Sequence, residues 1–89
     1  MNAIIAVIGQ DRTGILAKIS TVCLESNANI SDVTQTVTQN YFAMIMLVDI
    51  TGLNRDFVSF SRDVQAAGEE LCMTVHVMHE EIFNSMHRV

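Results

Sequence analysis

The run from Ala3 to Ile8 is continuously apolar, includes several β-branched residues and stops at Gly9. Alternation of apolar and polar residues marks a strand with one wet face, whereas a short unbroken run bounded by a turn residue marks one buried on both faces. A chain that opens this way has to cover both sides of its first strand with later elements. After the loop from Gln10 to Gly14, residues Ile15, Ile19, Val22, Cys23 and Ser26 recur at spacings of three and four. They trace an apolar stripe on a helix running from about Thr13 to Ser26, with Lys18, Thr21 and Glu25 off the stripe. Asn27-Ala28-Asn29 supplies the turn, because Asn tolerates left-handed backbone angles at a helix end.

From Ile30 to Gln39 the chain is rich in Thr, Val and Gln, with Val33, Gln35 and Val37 in alternation, which predicts an edge strand with a polar face. Asn40 marks a tight turn into an apolar strand from Tyr41 to Ile50, so the two form an antiparallel hairpin. Thr51-Gly52-Leu53-Asn54 breaks the strand, and Asn54 is the expected cap of a second helix carrying Phe57, Phe60, Val64, Ala67 and Leu71 on one side. Gly68 is expected to weaken that helix near its end. Met73 to Met78 fits a fourth strand, and Ile82, Phe83 and Met86 predict a short helix within Glu80 to Val89. The order βαββαβ specifies an α+β, ferredoxin-like arrangement: an antiparallel sheet with two helices on one face, plus the terminal helix. One domain over residues 1–89 is expected, with its helical extension from about residue 80 to residue 89.

The strand from Tyr41 to Ile50 is apolar in both parities, with Phe42, Met44, Met46 and Val48 on one side and Ala43, Ile45 and Leu47 on the other. Two helices cover only one face, so the second needs the terminal helix or a partner subunit as cover. An 89-residue chain that is 49% hydrophobic gains further burial by self-association, since folding alone hides only about 60–65% of its unfolded surface. A homodimer or higher homo-oligomer is expected. The formal charge is −5 and the five basic residues, Arg12, Lys18, Arg55, Arg62 and Arg88, are scattered, which argues against nucleic acid as a partner. Cys23 and Cys72 form no close-spaced pair, and the first residues lack a secretory pattern; two reduced thiols in the cytoplasm are expected. No apolar run approaches the roughly 20 residues of a membrane-spanning helix, so no membrane partner is expected.

The loop from Gly9 to Ile15 ends a strand and opens a helix, and the first backbone N–H groups of a helix lack intrahelical partners and attract anions. A plain connection, with Asp11 or Thr13 capping the helix, accounts for such a loop taken alone. In combination, Asp11-Arg12-Thr13-Gly14-Ile15 and the pair Asn29-Ile30, which starts eighteen positions after Asp11, resemble the ACT domain, a regulatory amino-acid-binding module. The resemblance spans nearly the whole chain. The opening Ile4 to Gly9, the centre Thr36-Val37 through Tyr41 to Met46, and the ending His79 to Arg88 look like the small stand-alone ACT proteins of bacteria and archaea, the UPF0237 type.

That resemblance implies a ligand held where two domains meet, between the first loop of one and the start of the second strand of the other. A helix from about Thr13 to Ser26 is about 20 Å long, so Asp11 and Asn29 of one chain sit at opposite ends. Antiparallel pairing of the Ile30 to Gln39 edges across a two-fold axis brings the Asp11 loop of each subunit to Asn29 of the other. The implied ligand-binding set is Asp11, Arg12, Thr13, Gly14, Ile15, Asn29 and Ile30. A ligand carboxylate takes the backbone N–H groups around Thr13, Gly14 and Ile15, while Asp11 and the Asn29 side-chain oxygen accept from its amino group. Gly14 permits close approach, and Thr13 replaces the proline common there in ligand-binding members. No cofactor, metal or catalytic residue is implied.

The remaining chemistry-bearing residues read as structural. His76 and His79, three apart on a strand, face opposite sides; His79, Glu80, Glu81 and His87 match no metal motif. Met44, Met46, Met73, Met78 and Met86 suit core packing at least as well as an adaptable surface. Cys23 lies on the buried stripe, Cys72 at a more accessible junction, and no histidine stands in motif relation to either. The leading function is therefore a non-enzymatic, homodimeric sensor of an amino acid or similar metabolite. The alternative is an interaction module that docks a metabolic enzyme or regulator without a ligand of its own. Acyl-phosphate hydrolysis, also hosted by this fold, would draw on Arg12 and Asn40, but no motif joins them.

Overall fold

The computed structural model describes residues 1–10 and 14–86. Its elements are β1 (Asn2–Gly9), α1 (Ile15–Glu25), β2 (Asn29–Val37), β3 (Phe42–Asp49), α2 (Phe57–Glu70), β4 (Thr74–His79) and α3 (Glu80–Met86). The four strands form one sheet in the order β2-β3-β1-β4, antiparallel throughout. This is the ferredoxin-like arrangement, with β2 on one edge as its polar, Thr-rich sequence predicts. Each strand bound falls within a residue or two of the expected one, the largest difference being β2, which stops at Val37. Thr38 leaves the ladder because the connection closes there: its N–H donates to the Tyr41 carbonyl at 2.8 Å and its Oγ1 accepts from the Tyr41 N–H at 3.1 Å.

One face of the sheet carries the core. Ala3, Ile5 and Val7 of β1, Phe42, Met44, Met46 and Val48 of β3 and Val75 of β4 point the same way and meet Ile15, Ile19 and Cys23 of α1 and Phe60, Val64 and Ala67 of α2, all buried. In β2 both Ile30 and Val33 pack against this core, although three positions separate them. A bulge permits it: Ile30 pairs with Val48 and Asp32 with Leu47, so Ser31 is an extra residue that resets the alternation.

The opposite face is a grid of rows across β2, β3, β1 and β4: Thr36, Ala43, Ile8, Thr74; then Thr34, Ile45, Ala6, His76; then Asp32, Leu47, Ile4, Met78. Helix α3 lies against β1 and β4, and the Asn2 Nδ2 donates to Glu80 Oε1 at 3.2 Å. Ile4 in the row nearest this end is 6% exposed, whereas Ile8 is 50% and Ile45 41% exposed. The terminal helix thus shields one end of the second face and leaves the other open. The first strand is buried on both sides only over that half, which corrects the expectation for Ile8.

Two expectations about α2 need correction. Its N-cap is Asp56, whose carboxylate accepts from the Ser59 N–H at 3.2 Å and the Ser59 hydroxyl at 2.6 Å. Asn54 instead ties the two helices together: its Nδ2 donates to the Glu25 carbonyl at 2.9 Å and its N–H to the Ser26 carbonyl at 3.0 Å, satisfying groups at the end of α1. Gly68 marks contact rather than weakness. It is buried, α2 continues through it to Glu70, and a Cβ placed there would overlap Val75 Cγ2 on β4. The turn after α1 follows the sequence, with Asn27 at φ 60° and its Nδ2 donating to the Gly52 carbonyl at 2.7 Å.

Candidate functional site

Strand β1 ends at Gly9 and α1 begins at Ile15, with Gly14 as N-cap. Gly14 has φ 78°, a left-handed conformation that side chains with a Cβ adopt only with strain. Most helices start on Ser, Thr, Asp or Asn, whose oxygen satisfies an N-terminal amide; a glycine offers no such oxygen, and no side chain caps α1 from this position. Among the described residues, an ideal Cβ on Gly14 would meet no heavy atom within 4 Å outside its chain neighbours. The first amides of α1 carry the positive end of the helix dipole.

Of the implied ligand-binding residues, Asp11, Arg12 and Thr13 lie outside the described residues, and Gly14, Ile15, Asn29 and Ile30 lie within them. Ile15 is 1% exposed, with its side chain in the core. Ile30 is half-buried against the same core, while Asn29 is exposed. The register separates the two groups. Gly9 pairs with Phe42 and Phe42 with Val37 at one end of the sheet; Asn29 pairs with Asp49 and Asp49 with Asn2 at the other. Eleven residues of α1 put about 16 Å between Gly14 and the turn before Asn29. Within one chain, then, the structure does not bring the two halves of the set together.

The other candidates separate similarly. His79 faces the helices and stacks on Phe57 of α2 with ring centroids 4.1 Å apart, whereas His76 lies on the opposite face, paired with Ala6. His87 lies outside the described residues, and among those described no three of His, Cys, Asp and Glu gather to hold a metal. Cys23 is buried, and desolvation pushes its thiol up to about 11, leaving it protonated and unreactive near neutrality. Cys72 is exposed, at φ 59° in the turn after α2. Of the methionines, Met44, Met46 and Met73 are core residues and Met86 is exposed. No helix among the described residues is long and apolar enough to cross a membrane.

Sequence reasoning passed over one surface feature, a groove between α1 and α2 of about 560 Å³, lined by residues from both helices and by Arg55. Two ion pairs mark it, Lys18 with Glu70 and Arg55 with Asp63. Lys18 and Glu70 are far apart in sequence, and Arg55 and Asp63 stand eight positions apart, outside the three- and four-residue spacing of helix neighbours. Ser26 was visible only as a small member of the apolar stripe.

A ferredoxin-like sheet in this strand order, with α1 entered through Gly14, defines a fold class rather than a particular activity. The model of the ACT domain matches residues 2–78, and the chain belongs to that family. A UPF0237 protein of Methanocaldococcus jannaschii is 55% identical over 88 residues, which are 99% of this chain and 98% of the relative. A UPF0237 protein of Listeria innocua is 42% identical over the full length of both. Among solved structures, an ACT domain protein from Streptococcus pneumoniae superposes with a TM-score of 0.80 at 34% identity, covering 98% of each chain. A formyltetrahydrofolate deformylase from Pseudomonas syringae shares 25% identity and a TM-score of 0.72, but the match covers only 27% of that enzyme. ACT domains are regulatory ligand-binding modules, and it is such a portion of larger proteins that this chain resembles.

Proposed function

We propose that this chain is a non-catalytic regulatory protein that works as a homodimer and binds an amino acid or a close analogue at the subunit interface. The observation that carries the reading is the α1 N-terminus, where the N-cap is Gly14 in a left-handed conformation, which supplies no side-chain oxygen to the first amides. A carboxylate is the ligand group such an end takes best. Asp11 from the loop and the exposed Asn29 of a second copy supply acceptors for the ammonium. The separation of Gly14 and Asn29 within one chain makes the second copy necessary, and the exposed edge of β2 offers main-chain groups for pairing. Among solved structures of the same fold is the regulatory subunit of aspartate kinase from Thermus thermophilus.

Isothermal titration of the chain with each free amino acid tests this reading. Binding that weakens at least about tenfold on Asp11→Ala and on Asn29→Ala, with one ligand per subunit, is the expected outcome. No heat for any amino acid at millimolar concentration defeats it. A second reading rests on Ile8 and Ile45, both exposed at diagonal positions of the adjacent strands β1 and β3 on the uncovered face: docking of a metabolic enzyme or regulator, with the loop merely structural. Replacing Ile45 with Glu while retaining ligand binding separates the two.

A further inference from the structure

The fold is two layers deep, 19 Å through its thinnest direction, with α1 and α2 packed on one face of the sheet. Antiparallel sheets that turn a face to water place polar residues on it. On β1 and β3 the residues turned away from the core are instead Ile4, Ala6 and Ile8, and Ala43, Ile45 and Leu47. At the centre of the open part, Ala43 stands beside Ile8 in one row and Ile45 beside Ala6 in the next. The two exposed isoleucines thus occupy one diagonal of a square and the two alanines the other. Side chains stand roughly perpendicular to a sheet, so each isoleucine is a knob and each alanine a hollow. Thr36 and Thr34 on β2 and Thr74 and His76 on β4 flank the square. The two rows contain no Asp, Glu, Lys or Arg, in a chain of which 17% is charged. An apolar centre between polar flanks is the make-up of a protein interface.

Such a square is complementary to itself. When two sheets face each other about a two-fold axis that runs across the strands in the plane between them, each row lies on the other row of the second copy. Every knob then meets a hollow. An axis along the strands matches knobs to hollows equally well, but it sets the two α3 ends against each other. The axis across the strands brings the α3 end of each copy, with Ile82 and Met86 exposed one turn apart, to the open end of the other, beside the exposed Tyr41. We propose that this face joins two copies of the chain, with Ile8 of each seated over Ala6 of the other and Ile45 over Ala43. No acidic residue faces another across the shared rows, so the net charge of −5 on each copy does not oppose contact there. Rows about 6.8 Å apart on strands about 4.8 Å apart, with α3 beyond them, give a footprint on the order of 500 Å² per copy. That is the small end of specific interfaces, and association in the micromolar range is expected. The contact is separate from pairing at the β2 edge, and the two together build a tetramer. It occupies the face on which the second reading above docks another protein.

Sedimentation equilibrium of the full chain from about 1 μM to about 500 μM tests this. The mass is expected to rise with concentration to four chains where the β2 edges also pair, and to two where they do not. Ile45→Glu, at an exposed position and with the fold checked by circular dichroism, is expected to halve that limit in either case, because it buries a carboxylate in the contact. A limit of two chains that Ile45→Glu reduces to one counts against the edge dimer and leaves this face standing. Ala6→Ile puts a second knob where Ile8 of the other copy sits, and is expected to weaken association at least about tenfold. Adding Ile8→Ala to Ala6→Ile moves the knob by one row and leaves a hollow opposite it, so association is expected to return. A merely sticky surface behaves in the opposite way and gains from Ala6→Ile alone. An equal mass limit in the parent and in a folded Ile45→Glu overturns the proposal, as does Ala6→Ile associating as tightly as the parent. Failure of the double variant to recover overturns the seating of Ile8 over Ala6.

Discussion

Replacing Gly68 with alanine is predicted to destabilise the protein, against the direction that helix propensity gives. In an exposed helix interior this change is worth up to about 1 kcal/mol in favour of alanine, and somewhat less two residues from the last residue of α2, Glu70. The structure opposes that gain. The new Cβ would overlap Val75 Cγ2 and stand 3.7 Å from the Met73 carbonyl oxygen. Val75 cannot easily yield: its χ1 is stiff, it is 7% exposed, and β4 holds it through the pair with Val7. Nor can the backbone withdraw freely, because the Gly68 carbonyl accepts from the N–H groups of Leu71 at 3.0 Å and Met73 at 2.9 Å. Overpacking of this kind costs about 1–3 kcal/mol, so the net loss is about 1–2 kcal/mol. For a chain of 89 residues that lowers the thermal midpoint by about 5–15 °C. Urea unfolding followed by circular dichroism measures it, with Val75→Ala as the second arm of a double-mutant cycle. In the Val75→Ala background the alanine at position 68 is expected to be neutral or stabilising, a coupling of about 1–2 kcal/mol. A stabilised Gly68→Ala single variant, or no coupling with Val75, refutes the reasoning.

Further predictions concern the turns, caps and thiols. Asn27→Ala is expected to cost about 1–2 kcal/mol in urea unfolding, losing the bond to the Gly52 carbonyl and forcing alanine to φ 60°; Asn27→Gly loses only the bond and retains more stability. Asp56→Ala lowers the unfolding midpoint by removing the cap from α2, and Asp56→Asn restores most of it. Hydrogen bonds from Ser59 hold the Asp56 carboxyl below its usual value, and those from Thr51 do the same for Asp49. A depressed native value means the unfolded chain takes up protons first on acidification. The stabilisation is thus full above the ordinary carboxylate range and is lost as pH falls through the native values. Urea midpoints from pH 7 down to pH 3 are expected to show a shallow acid-side decline that is reduced in Asp56→Asn. With a thiol reagent at pH 8, Cys72 reacts promptly, whereas Cys23, buried and raised to about 11, reacts only on addition of denaturant.

Hydrophobic period together with turn residues was enough to place the seven elements, and β3, α1 and α2 bury most of the residues their spacing selects, whereas α3 buries none of its own. The misplaced cap shows where such reading stops. Asn54 and Asp56 are both good capping residues, and what separates them is a demand from elsewhere: the carbonyls of Glu25 and Ser26 need donors, and Asn54 meets them. Gly68 was misread for the same reason, because a glycine looks like a flaw until the strand it touches is known. Cover for the second face was left open between terminal helix and partner, and the helix shields only the end near Ile4. For the site, Gly14 and the distance to Asn29 follow from the chain's local pattern. Residues that meet across the fold, such as Lys18 with Glu70, leave no such trace.

The bulge at Ser31 gives the edge strand a spare residue. Ile30 and Asp32 pair with consecutive positions on β3, so deleting Ser31 would close the ladder without moving any other side chain to the wrong face. Elsewhere in the sheet a deletion of one residue exchanges inside for outside along the rest of the strand. At this position the length of the chain can change by one and the core does not register it.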